Sequence, residues 1–92
     1  MTQDYAQLGD KTYELLYNKA CIQVGKKNYQ DALKILNAAE ELCRKTLDEE
    51  GAIDEDIEAE LSIIRVQLGY VYQMLGKNDI ASKLYNQVYR LK

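Results

Sequence analysis

Apolar residues recur along the chain at the three- and four-residue intervals that place side chains on one face of an α-helix. The first such pattern runs from Thr12 to about Lys26, and Gly25 marks its end; its apolar positions are Tyr13, Leu16, Tyr17, Ala20 and Val24. Residues 1–11 show little periodicity, and we expect them to form a tail or a frayed helix start.

A second helix is predicted to begin near Asn28. Asparagine is a favourable N-cap, and Asp31 then lies in the first turn, where a carboxylate suits the helix dipole. Arg44 and Lys45 are expected in the last turn, where positive charge is favourable. The apolar stripe of this helix consists of Tyr29, Ala32, Leu33, Leu36, Ala39 and Cys43.

The third predicted helix is apolar on two sides. It begins near Asp54 to Asp56, with acids in its first turn, and runs to about Leu75. One stripe holds Ile57, Leu61, Ile64, Leu68, Tyr72 and Leu75, and the other holds Ile63, Val66, Tyr70 and Met74. Such a helix is either covered on both sides or offers one side to a partner.

A fourth helix is predicted after Gly76, because glycine is a natural residue just beyond a helix C-terminus. Asn78 or Asp79 is expected to cap it, and its apolar residues are Ile80, Ala81, Leu84, Tyr85 and Val88. No segment shows the sustained alternation of a β-strand. The predicted fold class is therefore all-α, with four helices in two pairs, each pair joined by a tight polar turn.

The composition removes most catalytic and metal chemistry. The 92-residue chain has the length of one domain and contains no histidine, so neither a Ser-His-Asp nor a Cys-His arrangement is available. Two cysteines cannot by themselves complete a four-ligand zinc site. We therefore expect no enzymatic activity, no cofactor and no metal. Cys21 and Cys43 fall within helical apolar patterns, so we interpret them as buried free thiols, with a disulfide as the alternative.

Charge is distributed unevenly along the chain. The segment from Asp48 to Glu60 holds eight acids and no base, whereas the other residues carry seven acids and twelve bases, a net charge of +5. We interpret the acidic segment as a solvated linker, with an electrostatic contact to a basic partner as the alternative. It lacks the spacing and the central glycine of a calcium-binding loop.

Targeting signals are absent from the sequence given. No apolar run approaches the roughly 18 residues of a membrane span, and the N-terminal residues lack the basic-then-apolar layout of a secretion signal. We expect a cytoplasmic protein that does not contact a membrane.

The two helix pairs show an internal similarity that resembles the tetratricopeptide repeat (TPR) family. In the second pair, six residues match positions that this family keeps small, aromatic or apolar: Leu68, Gly69, Tyr72, Gly76, Ala81 and Tyr85. The resemblance implies a right-handed α-solenoid fragment in which Gly69 and Ala81 face each other where two helices cross closely. A generic four-helix bundle is the alternative.

The first pair matches the TPR pattern at Ala20, Tyr29, Ala32, Leu36 and Ala39. Lys19 replaces the usual leucine, and Lys27 replaces the turn glycine, where a positive φ is required. The two key alanines lie 49 residues apart, whereas the family period is about 34 residues. We therefore predict a first repeat at 12–46, an acidic inter-repeat insert at 47–56 and a second repeat at 57–92. The insert is expected to form partly a loop and partly extra turns on the third helix.

Several strings give a closer resemblance. They are YELLYNKAC from Tyr13, AEELCRKTL from Ala39, AELSII from Ala59 and LYNQV from Leu84. Together with the acidic segment they are similar to the N-terminal repeat region of the family of 72-kDa subunits of the eukaryotic signal recognition particle. This resemblance implies a non-catalytic scaffold that binds the C-terminal region of the 68-kDa subunit during delivery of ribosomes to the endoplasmic reticulum. In that family RNA binding belongs to a separate lysine-rich segment, so we expect no RNA contact here.

The TPR resemblance also implies a binding site. The first helix of each repeat lines a concave face, and the positions that point there are Tyr17, Cys21, Val24, Ile63, Val66, Tyr70 and Gln73, with Glu14 at the start of the first helix. This mostly apolar face suits an amphipathic helix or an extended peptide, with Tyr17 and Tyr70 as the main anchors. Ordinary packing of the same side chains is the alternative interpretation.

Three other functions remain open at this point. The chain could be a TPR adaptor for another amphipathic peptide, although the groove type that clamps acidic C-terminal peptides needs Lys and Asn where Tyr17 and Cys21 stand. It could contact RNA through its basic body, including Lys26 and Lys27. It could also associate weakly with itself, because a short array exposes apolar repeat ends.

Overall fold

A computed structural model describes residues 12–89, and over this range the chain consists of four α-helices without a β-strand. They are α1 (Thr12–Gly25), α2 (Tyr29–Glu49), α3 (Asp54–Met74) and α4 (Asn78–Tyr89). The all-α prediction is confirmed for this part of the chain. The expected N-terminal tail at 1–11 lies outside the described residues, as do residues 90–92.

The helices pack in the order of the sequence. Extensive contacts join α1 to α2, α2 to α3 and α3 to α4, and within residues 12–89 no comparable contact joins α1 to α4. The array is therefore open, whereas in a closed bundle α1 would also pack against α4. Two helical hairpins, α1–α2 and α3–α4, are joined through the α2–α3 interface.

The core follows the predicted apolar stripes. Helix α2 contributes its stripe from Ala32 to Leu47, and α3 contributes the stripe from Ile57 to Leu68 together with Val71. Tyr13 and Ala20 of α1 complete this cluster, while Ala81 of α4 is buried separately against α3. No buried polar side chain among the described residues lacks a hydrogen-bond partner, as expected for a well-formed core.

All three connections between the described helices have the same backbone conformation. Lys27, Gly51 and Gly76 have positive φ angles of 66°, 80° and 82°. In each case the amide of this residue bonds a carbonyl three residues back, and the next amide bonds one five residues back. This is the Schellman arrangement, which satisfies carbonyls that a helix end leaves free. The expectation that Lys27 adopts a left-handed conformation is confirmed.

Helix α2 is longer than predicted, and one local expectation is wrong. Because it continues to Glu49, its last turn contains no basic residue, so Arg44 and Lys45 do not lie there. Leu47 is buried in line with Cys43, so the apolar stripe carries the helix one turn further. Asn28 is the N-cap residue of α2, as predicted, but its side chain makes no capping bond; its Nδ2 donates to Gln23 Oε1 at 2.9 Å instead.

The acidic segment is mostly helical. Only residues 50–53 lie between α2 and α3, and Asp54, Glu55 and Asp56 form the first turn of α3 as expected. The additional residues therefore lengthen the end of α2 as well as the start of α3, whereas only the latter was predicted.

Gly69 lies where α3 and α4 cross. A Cβ atom added there would lie 2.6 Å from Cε1 and 2.9 Å from Cζ of Tyr85. A small residue is therefore required at this point, as predicted, and the three atoms nearest to such a Cβ all belong to the Tyr85 ring. Ala81 is itself buried, at 3% exposure, one turn before Tyr85.

Candidate partner-binding surface

Helices α1 and α3 lie side by side with their side chains in register. Gln67 Nε2 of α3 approaches Cys21 Sγ of α1 at 3.4 Å. One turn earlier, Tyr17 of α1 and Ile63 of α3 line the same open cavity of about 340 Å³, together with Tyr13, Glu14, Asn18, Glu60 and Ile64. Both helices therefore run in the same direction along one side of the molecule.

A row of apolar side chains runs along the exposed face of α3. It consists of Ile63, Val66, Tyr70 and Met74, which are 53%, 45%, 40% and 47% exposed; we call it the α3 row. Their spacing of three, four and four residues places them on one helix face. This face corresponds to the second stripe of the sequence, whereas the first stripe is buried in the core. The α3 row therefore offers a continuous apolar surface.

Six of the seven predicted binding residues divide into two groups. Ile63, Val66 and Tyr70 belong to the α3 row. The residues on α1 are half-buried instead, and two of them, Tyr17 and Val24, pack against the core. The α1 residues therefore form one wall of the groove between α1 and α3 rather than its open surface.

Gln73 lies at the edge of this surface. Its Oε1 accepts a long hydrogen bond, 3.4 Å, from the hydroxyl of Tyr85 on α4. The adjacent Met74 completes the α3 row but is not among the residues that the repeat positions predict. The helical spacing from Ile63 and Tyr70 is the sequence signal that identifies Met74.

Tyr17 is held as a neutral side chain at the junction of the two helices. Burial raises its pKa above the ordinary value of 10.0, and the neighbouring Cys21 adds to this rise, whereas a hydrogen bond with Gln67 opposes it. The phenol therefore stays protonated through the physiological range. It presents an aromatic ring and a neutral hydroxyl to the groove.

Beneath the groove, Tyr13 and Cys43 are buried and uncharged. Burial, aided by Cys43 and Glu60, raises the pKa of Tyr13 to about 12. Burial, aided by Glu60, raises the pKa of Cys43 to about 11. A thiol of this kind is a poor nucleophile at neutral pH, because the thiolate is the reactive form. Cys43 is therefore a packing residue, and both it and Cys21 are free thiols rather than a disulfide.

Arg65 fixes α3 against α2 on the side away from the groove. Its Nη1 donates to Glu58 at 2.8 Å and its Nε donates to Glu40 at 3.1 Å. Burial lowers the pKa of Arg65, but the hydrogen bonds and charges of the two glutamates outweigh it, so the pKa is raised. The guanidinium thus bridges successive helices and orients the face that carries the α3 row.

The described part of the chain shows no group of three or more Cys, Asp or Glu side chains arranged to hold a metal ion. None of the helices between residues 12 and 89 combines the length and apolar content that crossing a bilayer requires. What the arrangement offers chemically is an apolar surface with aromatic and aliphatic side chains.

Comparison with known proteins finds similarity to one kind of subunit. The chain is 44% identical over 86 residues to the signal recognition particle subunit SRP72 of dog and, equally, to that of human. It is 37% identical over 79 residues to SRP72 of Caenorhabditis elegans. The alignments cover 92% of this chain for the two mammalian proteins and 86% for the nematode protein.

The chain is much shorter than these relatives, since the aligned segments span 13% of the mammalian proteins and 12% of the nematode protein. No protein-family profile matches the chain. No solved structure matches it either.

Proposed function

We propose that this chain is a repeat segment of a signal recognition particle subunit of the SRP72 type, and that it acts there as a non-catalytic protein-binding scaffold. The similarity to SRP72 over 92% of the chain supports the assignment to the particle and hence to protein targeting. The scaffold role is supported by the open helical array and by a site that offers apolar contact rather than reactive groups.

The two hairpins support the further proposal that they are TPR-type repeats. The left-handed residues Lys27 and Gly76 are 49 residues apart, as are the buried residues Ala32 and Ala81. The same turn and the same small buried residue therefore recur once in each hairpin. Such nested hairpins stack into a solenoid whose first helices line one face.

The α3 row is the observation that carries the binding function. Four large apolar side chains, each at least 40% exposed, occupy one face of a helix whose opposite face is fully used in the core. Exposed apolar residues that form a contiguous surface mark interaction sites, whereas scattered ones are ordinary. Tyr70 and Tyr17 are suited to anchor a partner, because aromatic side chains bury a large area at small entropic cost.

We propose the C-terminal region of the 68-kDa subunit of the particle as the partner. An amphipathic helix or an extended peptide of that region would cover the α3 row with its apolar side chains. A TPR adaptor function toward a different amphipathic peptide would use the same surface and is distinguished by the identity of the bound protein.

Binding of the purified 68-kDa subunit tests this proposal directly. Ile63→Ser and Tyr70→Ala are each expected to weaken binding by about tenfold or more, since central interface residues contribute about 1–2 kcal/mol or more. Tyr17→Ala is expected to weaken binding as well. Far-UV circular dichroism should stay helical in the α3 variants, because these side chains are exposed.

Ile22→Ser is the matched control. Ile22 is 57% exposed, close to the 53% of Ile63, but it lies on α1 outside the set of groove residues. It is expected to leave the affinity unchanged. Equal affinities of the Ile63→Ser, Tyr70→Ala and Ile22→Ser variants would contradict the proposal that the α3 row is the binding surface.

A further inference from the structure

The offset of 49 residues allows the two hairpins to be compared position by position. Tyr17 and Cys21 of α1 then correspond to Val66 and Tyr70 of α3. In the first hairpin both side chains are half-buried against α3: Tyr17 lines a cavity together with two isoleucines of α3, and a glutamine amide of α3 approaches the Cys21 sulfur. In the second hairpin Val66 and Tyr70 are 45% and 40% exposed. The positions that α3 covers on α1 are therefore open on α3 itself.

The second helices of the hairpins differ in the same way. Leu36 and Ala39 of α2 are fully buried in the core cluster that contains the apolar stripe of α3. Their counterparts on α4 are Tyr85 and Val88, which are only half-buried. We call the surface formed by Val66, Tyr70, Tyr85 and Val88 the end groove. It corresponds to the surface of the first hairpin on which α3 packs, and no helix of the described residues fills it.

Helix α3 shows what an occupant of such a groove requires. It buries apolar residues at i, i+4, i+7 and i+11, namely Ile57, Leu61, Ile64 and Leu68. A second copy of the chain does not offer this stripe on α1, because the counterparts of the last three are Thr12, Leu15 and Lys19. Thr12 and Lys19 are polar and exposed. Burying a lysine without an opposing charge is unfavourable, so the groove fits a different polypeptide.

Resting on the proposed function, we infer that the protein partner occupies the end groove as a single α-helix. This helix runs alongside α3 and packs against both α3 and α4, as α3 packs against α1 and α2. Its apolar residues recur at i, i+4, i+7 and i+11, a spacing typical of helices that bind in grooves. Twelve residues, or about 17 Å of helix, are sufficient. The partner therefore contacts Tyr85 and Val88 of α4 in addition to the α3 row.

Affinity of the full chain for the purified 68-kDa subunit tests this inference through α4, which the α3 row does not include. Val88→Ser is expected to weaken binding about five- to tenfold, because an apolar anchor of the groove becomes polar. Val88→Thr preserves the shape of the side chain and should act in the same direction, which keeps the test valid if Val88→Ser unfolds. Urea unfolding of each unbound variant measures its stability.

Ile80→Ser is the matched control on α4. Ile80 is apolar and 39% exposed, and its counterpart Asp31 remains exposed in the first hairpin, so this position lies outside the end groove. The substitution is expected to change the affinity by less than twofold.

Hydrogen exchange of the bound 68-kDa subunit tests the helical conformation. About twelve consecutive amides of its C-terminal region should become protected on binding, because a helix satisfies its own backbone donors. An extended segment on this helical surface would leave most of its amides unprotected, and that result would overturn the inference.

The affinities separate this inference from the proposed function. If both Val88 variants bind like Ile80→Ser while Ile63→Ser still weakens binding, the end groove is not the partner's site and the proposed function stands. If the Val88 variants lose stability but not affinity, the protein's own chain fills the groove, and the inference is equally wrong. If Ile63→Ser has no effect either, the proposed function fails as well.

Discussion

Substitution of Gly69 by alanine tests the close crossing of α3 and α4. The added Cβ would lie 2.6 Å from Cε1 of Tyr85, so either the ring or α4 must move. Overpacking of this kind costs about 1–3 kcal/mol. Replacing a mid-helix glycine by alanine gains about 1 kcal/mol in helix propensity. We expect a net loss of up to about 2 kcal/mol, and each kcal/mol lowers Tm by roughly 4–8 °C in a domain of this size.

A double-mutant cycle separates the two contributions. In a Tyr85→Ala background the ring is gone, so Gly69→Ala should stabilise the protein by up to about 1 kcal/mol through propensity alone. Gly25→Ala is the control in the parent protein, because no atom lies within 4 Å of a Cβ at that position. Urea unfolding followed by circular dichroism measures all of these variants. An equal loss from Gly69→Ala with and without the Tyr85 ring would refute the steric explanation.

Three further outcomes are expected. Lys27→Gly should raise the free energy of unfolding by about 0.5–1 kcal/mol in urea unfolding, because glycine adopts a φ of 66° without the strain of a side chain. Gly76→Ala should lower the free energy of unfolding, because alanine would have to adopt a φ of 82°. Arg65→Met should lower the free energy of unfolding by about 1–2 kcal/mol, since it leaves two partly buried carboxylates without their counter-ion. An unchanged urea midpoint would show that these ion pairs do not stabilise the fold. The contribution of protonated Cys43 and Tyr13 to stability should be fully present below pH 9. It should be lost as the pH rises through about 11 and 12, because the pKa values of these two groups are raised from 9.0 and 10.0 on folding. In urea unfolding against pH, Cys43→Ala should remove the lower-pH part of this decline, and a stability independent of pH between 9 and 12 would contradict the buried, protonated state of both groups.

The sequence was sufficient to predict the helices, because each has an apolar stripe and a recognisable stop. Lys27 shows how far such reasoning reaches: its place in the turn required a positive φ, and the structure has one. The length of α2 was underestimated, because the acidic run after Thr46 reads as a linker. Burial of Leu47 outweighs the unfavourable acids at that helix end, and this balance depends on tertiary packing.

The binding surface could be predicted only in part. Periodicity identifies two stripes on α3 but does not decide which one the rest of the molecule covers. That choice follows from the positions of α2 and α4, which leave Ile63 and Met74 exposed. Likewise, the repeat pattern requires a small residue at Gly69 but does not specify that Tyr85 fills the space, since side-chain directions across a crossing depend on the geometry of both helices.

The sequential contacts between helices have a mechanical consequence. Because α4 is held chiefly by α3, and α1 chiefly by α2, a force applied to either terminus loads one helix interface at a time. The molecule should therefore extend in several small steps rather than rupture at once, as expected of quasi-one-dimensional arrays. A chain built this way should yield locally under tension while its remaining hairpin stays folded.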